Sequence, residues 1–439
     1  MRNFEHQTTK PPNFEFLNLE LSNLEQTIDH LFRHEWGKMV AFLTRIFGAH
    51  NLEMAEDIAQ DTLLKAFELW KIKGIPDNPP AWLMTVAKNR AMDVIRRERH
   101  NIRLSDDVAV LLESEYTIAS TIENLTTEEE IKDDQLRMMF ACCHPALAGE
   151  AQVTMILKTL CGFSITEIAK AFLSNEENIN KRLYRARQLF REGKVTLEIP
   201  TKNELGERLE NVLTSIYLLF NEGYNATSHE DLIRNDLIQE ALRLGVLLTQ
   251  NKQTARPEVY ALLALMCFHA ARTGSRLDEE GNILLLKQQD RSTWNQELIQ
   301  TGISFLSQSA QGETFTKYHA EAGIAYQHCI AKKYHQTNWK NIVQQYDLLY
   351  QIHPTPIIAL NRAIAIGEWK GAREGLKAME QIPDLQTLYN YYLLSATLGE
   401  FYLKLNEPAK ARPYFEKALS QTQSEKEKKL LREKMGGMG

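Results

Sequence analysis

At 439 residues the chain is too long for one ordinary core, so roughly two to four domains are expected. Hydrophobic residues make up 44% and charged residues 25%, the usage of a soluble globular chain, which excludes a fibrous or largely disordered one. A net charge of −6 excludes indiscriminate adhesion to nucleic acid, so DNA affinity must come from local basic clusters.

Residues 1–20 hold Glu5, Glu15 and Glu20 and no apolar run of signal-peptide length, and residues 261–268 are far too short to span a membrane. A cytoplasmic location with no membrane contact is expected. Helical stretches are predicted over residues 24–47, 52–70 and 80–99, with a short further one before Leu24. In the second, Ala55, Ile58, Ala59, Leu63, Ala66 and Trp70 share one face, while Asp57, Asp61, Leu64 and Glu68 form another. Gly74, Pro76, Pro79 and Pro80 break the pattern, and Pro80 suits the first turn of the next helix. Residues 87–103 form a basic cluster of Lys88, Arg90, Arg96, Arg97, Arg99 and Arg103 against Asp93 and Glu98. Residues 101–134, acidic and poor in aromatics, read as a flexible linker.

A second helical block runs over residues 135–193 and ends in another basic cluster: Lys181, Arg182, Arg185, Arg187, Arg191 and Lys194. Residues 165–172 (ITEIAKAF), a polar turn and residues 178–190 have the shape of a helix-turn-helix. Ile179, Leu183, Ala186 and Phe190 make the buried stripe of its second helix. Asn178, Lys181, Arg182 and Arg185 then share the opposite face, flanked by Arg187 and Arg191. Arg and Asn match guanine and adenine edges in the major groove, and the other cations suit phosphates; the plainer reading is a solvated basic helix. On the first basic helix Trp82 sits at the start, with Asn89, Arg90, Asp93, Arg96 and Arg97 outward and Leu83, Val86, Ala87, Val94 and Ile95 available for packing. An aromatic, an amide and several arginines suit splayed single-stranded bases, although a charged surface helix is the blander alternative.

After Pro200 the chain stays helix-rich, with loops at residues 223–228, 274–281 and 354–356, and nothing alternates with period two for long enough to make a sheet. An all-α fold is expected. Leu398, Gly399, Tyr402, Ala411, Phe415 and Ala418 fall at tetratricopeptide (TPR) offsets, and Ala372, Leu376 and Met379 repeat part of that spacing one unit earlier.

Residues 55–67 (AEDIAQDTLLKAF) and 80–99 (PAWLMTVAKNRAMDVIRRER) resemble region 2 of RNA polymerase sigma factors of the extracytoplasmic-function (ECF) type, and residues 152–191 resemble region 4. Residues 206–306, with LFNEGY at 219–224 and QDRSTW at 289–294, look like the middle domain of the ECF subgroup that ends in TPR repeats. The resemblance implies a region 2 helical bundle over residues 1–100 and the acidic linker over 101–134. It further implies a region 4 helix-turn-helix over 135–198, a helical middle domain over 199–306 and TPR-like repeats over 307–439. It implies that Asp57, Gln60, Asp61 and Leu64 dock on the β′ clamp helices of core RNA polymerase, with region 4 meeting the β flap. Trp82, Asn89, Arg90, Asp93, Arg96 and Arg97 would open and read the minus-ten promoter element, and Asn178, Lys181, Arg182, Arg185 and Arg187 the minus-thirty-five element. The turn at residues 173–178 (LSNEEN) departs from the commoner pattern, which has a Gly and a small apolar residue there. Two modest basic patches on a tether suit a protein that binds promoter DNA firmly only when polymerase holds both.

Promoter-specific initiation regulated in cis by the C-terminal half is the function expected, with no catalysis and no cofactor. The rival is a TPR-type scaffold, recruiting a protein partner through its repeats and tethered to DNA by the helix-turn-helix. Glu222, His229, His269, Asp290 and Arg291 are polar candidates for an enzyme but lack a catalytic spacing. Cys142, Cys143 and His144 invite zinc, yet no second pair follows, and neighbours on a helix diverge by about 100°. Core thiols and no metal are expected for the cysteines (Cys142, Cys143, Cys161, Cys267, Cys329), with no disulfide.

Overall fold

The computed structural model describes residues 24–98, 104, 128–172, 174–224, 234–422 and 424–437. The helix expected before Leu24, Arg99, Arg103, Leu173, His229 and most of the acidic linker lie outside the described residues. Among those described, the regular structure is helical apart from one isolated bridge between Leu277 and Ile283, as the patterning predicts. The chain divides into two compact units, residues 1–255 and 256–439.

The first unit is built on α1 (Leu24–Phe47). Met39, Val40, Phe42, Leu43, Ile46 and Phe47 of α1 are fully buried, because α2 (Leu52–Lys73), α3 (Pro79–Glu98) and α4 (Glu128–Cys142) all pack on it. Helix α2 buries Ala55, Ile58, Ala59, Ala66 and Trp70 as its period predicts, with Leu63 only half-buried. It stops at Gly74, whose φ of 80° few other residues adopt and whose amide donates to the Trp70 carbonyl at 3.0 Å. Two prolines, Pro79 and Pro80, open α3 at positions where a missing N–H costs nothing.

The acidic linker ends earlier than expected, because α4 begins at Glu128 rather than after Asp134. Asp134 is buried and its carboxylate accepts from Arg137 at 2.9 Å and Arg45 at 3.2 Å, while Glu130 pairs with the same Arg45. The acids order because α1 presents a cation to them, a pairing across 85 and 89 positions that no local pattern reveals.

Next come α5 (Gly149–Met155), a π turn at Ile156–Leu160, α6 (Ile165–Ala171) and α7 (Glu176–Arg191). Asn175 caps α7 by accepting from the Asn178 amide at 2.8 Å, and Ile179, Leu183, Ala186 and Phe190 are its buried stripe, as expected. Helices α8 (Lys202–Tyr224) and α9 (Asn235–Thr249) then pack together, α8 on α4 and α5 and α9 on α4.

The second unit runs α10 (Pro257–Ala270), α11 (Gln296–Ser309), α12 (Lys317–Ile330), α13 (Trp339–Ile352), α14 (Pro356–Lys370), α15 (Ala372–Glu380), α16 (Tyr392–Lys404), α17 (Pro408–Gln421) and α18 (Glu425–Gly436), each packed on the next. The boundary at residue 255 falls inside the stretch 199–306, expected as one middle domain. Helix α10 is buried on nearly every side, and the helices that cover it, α11 and α12, come after it in the chain. In the segment expected to be TPR-like, Phe415 fills the space that a side chain at Gly399 would need, with Ala411 and Ala418 buried beside it. One hairpin earlier, Phe401 lies in the same way against Gly367 and Gly375, with Ala372 and Met379 in its core and Leu376 half-buried. Repeated large-on-glycine contacts let successive hairpins approach closely.

Candidate nucleic-acid interface

Asp57, Gln60, Asp61 and Leu64 all lie exposed on the outer face of α2, one above another by the helical period. Leu64 is 54% exposed, and Phe67, which the sequence reading passed over, is 46% exposed beside it, with the Lys71 ammonium 3.9 Å from its ring centroid. Exposed large apolar side chains rimmed by acids suit a protein partner rather than water alone.

On α3, Asn89, Arg90, Asp93, Arg96 and Arg97 are all exposed, and Arg90 approaches Asp61 at 3.7 Å. Trp82 is half-buried, its ring edge-on to Trp70 at 5.5 Å, so part of it belongs to the core. Leu83, Ala87, Ala91 and Ile95 carry the packing, whereas Val86 and Val94, expected there too, are only half-buried. Ala91 escaped the sequence reading because alanine gives a weak apolar signal.

Helix α7 differs. Asn178, Lys181 and Arg185 are exposed, and Lys181 pairs locally with Glu177 at 2.6 Å. Arg182, expected on the same outward face, is half-buried and pairs with Glu150 of α5 at 2.6 Å. Arg187 turns away from that face and pairs with Glu56, a buried residue of α2 that also accepts from the Thr159 hydroxyl at 3.4 Å. Burial pushes the Glu56 carboxyl up, against the pull of Arg187 and Lys158. Tyr184 is 61% exposed and joins Glu177, Asn180, Lys181 and Arg185 along a shallow depression, with the Arg191 guanidinium 5.5 Å from its ring. An exposed aromatic among cations adds a stacking surface that the search for buried stripes overlooked.

Further contacts fix the π turn, α6 and α9 on α1. Arg33 donates to Glu167 at 2.5 Å and to Asp236 at 3.1 Å, and its guanidinium lies 4.7 Å from the Phe163 ring centroid. The Trp36 indole donates to the Lys158 carbonyl at 3.1 Å. Gly37 sits so close to the Leu160 carbonyl that a Cβ there would overlap it.

The other candidates do not converge. Cys142 and Cys143 are fully buried, burial drives both thiols up, and His144 is half-buried beside them. Among the described residues no group of three His, Cys, Asp or Glu side chains is placed to hold a metal. Glu222 is half-buried on α8, in the first unit, whereas His269, Asp290 and Arg291 lie in the second. Asp290 shapes a turn, accepting from the amide and hydroxyl of Ser292 at 2.9 and 2.7 Å. Among the described residues no helix is long and apolar enough to cross a membrane.

Residues 31–101, a range that begins within α1 and takes in α2 and α3, match Sigma-70 region 2. Residues 208–310 match a family of unknown function, DUF6596, which starts within α8 and ends after α11. An uncharacterized protein of Rhizobium meliloti is 31% identical over 372 residues, which cover 84% of this chain and 86% of that protein. No solved structure matches the chain. Likeness over most of both chains puts this one in the same family as the Rhizobium meliloti protein, and its sigma-70 region 2 makes it a sigma-factor-like chain.

Proposed function

We propose that the chain is an ECF-type sigma factor that binds core RNA polymerase and directs promoter-specific initiation. The observation that carries this reading is the Sigma-70 region 2 match over a bundle with two outward faces, acidic and apolar on α2, basic and amide-bearing on α3, which meet where Arg90 approaches Asp61. In this reading Asp57, Gln60, Asp61 and Leu64 dock on the β′ clamp helices. Trp82, Asn89, Arg90, Asp93, Arg96 and Arg97 read the minus-ten element. Region 4, residues 135–198, meets the β flap and reads the minus-thirty-five element through Asn178, Lys181, Arg182, Arg185 and Arg187. The outward side chains of α7 and its cap at Asn175 support a recognition helix.

Arg187 is tied to Glu56 and Arg33 to Glu167, and in this reading promoter binding releases α7 from α2. Helices α8 and α9 pack in the same compact unit, and in this account the DUF6596 segment and the TPR-like hairpins beyond it regulate that release in cis. The repeats also offer a surface to a protein partner, and no catalysis or cofactor is assigned.

Co-elution with purified core polymerase in size-exclusion chromatography tests the reading. The wild-type chain is expected to co-elute, and an Asp57→Ala/Asp61→Ala variant to lose most of that binding. Wild-type failure to bind would favour the DNA-tethered scaffold instead.

A further inference from the structure

The QDRSTW segment at residues 289–294 has no part in the proposed promoter reading, and it surrounds a concentration of positive charge inside the second unit. Arg291 is buried, and its Nη1 donates to the carbonyls of His328 and Ala331, both at 2.9 Å, which closes the C-terminal end of α12. That duty occupies one nitrogen. Nε and Nη2, the edge with which arginine grips an oxyanion side-on, are buried without a hydrogen-bond partner.

Arg272 approaches the same place, its guanidinium 5.4 Å from the Trp294 ring centroid while that of Arg291 is 5.2 Å from it. Among the described residues neither arginine has a carboxylate within ion-pair distance. Burial and then the neighbouring Arg272 lower Arg291, and burial followed by both arginines pushes the His328 ring down to about 3, so that it is neutral. Arg272 Nε, Trp294 Nε1 and His328 Nδ1 are likewise buried without partners. Native interiors seldom leave several donors unpaired in one place, and two neighbouring guanidiniums without a counter-charge are costly. Arg272 is only half-buried, whereas Arg291 and Trp294 are buried.

We propose that Arg272, Arg291, Trp294 and His328 form a binding site for a small tetrahedral oxyanion, inorganic phosphate or the phosphoryl group of a small molecule. A bound oxyanion would give these donors an acceptor, and its charge would stand in for the missing carboxylate. The site stands independently of the sigma-factor reading.

The test uses the full-length chain, titrated with sodium phosphate against sodium chloride at constant ionic strength, reading unfolding temperature and calorimetric heat. Phosphate at about 100-fold over its Kd is expected to raise the Tm by roughly 5–10 °C. Sulfate matching phosphate supports the tetrahedral class, whereas citrate acting with phosphate inert overturns it. Arg272→Gln is expected to abolish the phosphate shift while leaving the ligand-free Tm unchanged or higher, since it removes a like charge. Trp294→Phe, which keeps a ring but removes one donor, should weaken phosphate about 5-fold. The proposal fails if phosphate acts no more strongly than chloride, or if Arg272→Gln keeps the full shift.

Discussion

Helices α3 and α7 carry the two basic blocks of the sequence and end in opposite circumstances. On α3, Asn89, Arg96 and Arg97 stand in solvent, and none of them is ion-paired among the described residues. On α7, Arg182 and Arg187 are held by Glu150 and Glu56, leaving Asn178, Lys181 and Arg185 outward. The cause is the neighbours: α7 rests on α2, α5 and α6, and two of these supply carboxylates. Cationic charge in a sequence is therefore not the same as charge left free on the surface, and part of α7 acts as a fastening.

Arg187→Ala should break this contrast most visibly. It leaves Glu56 buried without its cation, and the unfolding free energy of the first unit is expected to fall by about 2–3 kcal/mol in urea titrations. A double variant, Arg187→Gln with Glu56→Gln, should recover most of that loss; an unaltered midpoint in the single variant would mean the pair contributes nothing.

Substitutions at the outward residues should do the reverse. Arg185→Ala is expected to leave stability within about 0.5 kcal/mol of wild type and to reduce promoter-dependent transcription about 10- to 100-fold. Equal destabilisation by Arg185→Ala and Arg187→Ala would erase the distinction between the two sets. A smaller effect is expected on α2, where Leu64→Ala should weaken core-polymerase binding about 5-fold, measured by fluorescence anisotropy, with no change in folding.

The smallest effect is one of pH. Burial raises the Asp134 carboxyl from 3.8 to about 7, so the folded chain keeps a proton that the unfolded chain releases. The stability tied to that proton is complete below about pH 4 and is lost as pH rises through about 7. Asp134→Asn should flatten the slope of unfolding free energy between those values, and an unchanged slope would assign it to other groups.

What could be read from residues alone follows from the range of the forces involved. The buried stripes of α2 and α7, the proline start of α3 and the glycine contacts of α16 on α17 are local or periodic, and each follows from spacing. The order of residues 128–134 depends on Arg45, the fastening of α7 depends on Glu56, and the boundary at residue 255 depends on which helices cover α10. These are long-range choices that periodicity does not encode. Phe67 and Tyr184 escape the sequence for a different reason: an aromatic residue in a helix has the same pattern whether buried or exposed, and only the folded surface distinguishes the two.

Run-off transcription with purified core polymerase, this chain and a genomic promoter library, followed by sequencing of transcript starts, tests the central claim most directly. The account predicts defined starts sharing two upstream elements, lost with Arg96→Ala or Arg185→Ala although both variants fold as wild type. The absence of defined starts, with the full chain and with a truncation after Pro200 alike, would contradict it.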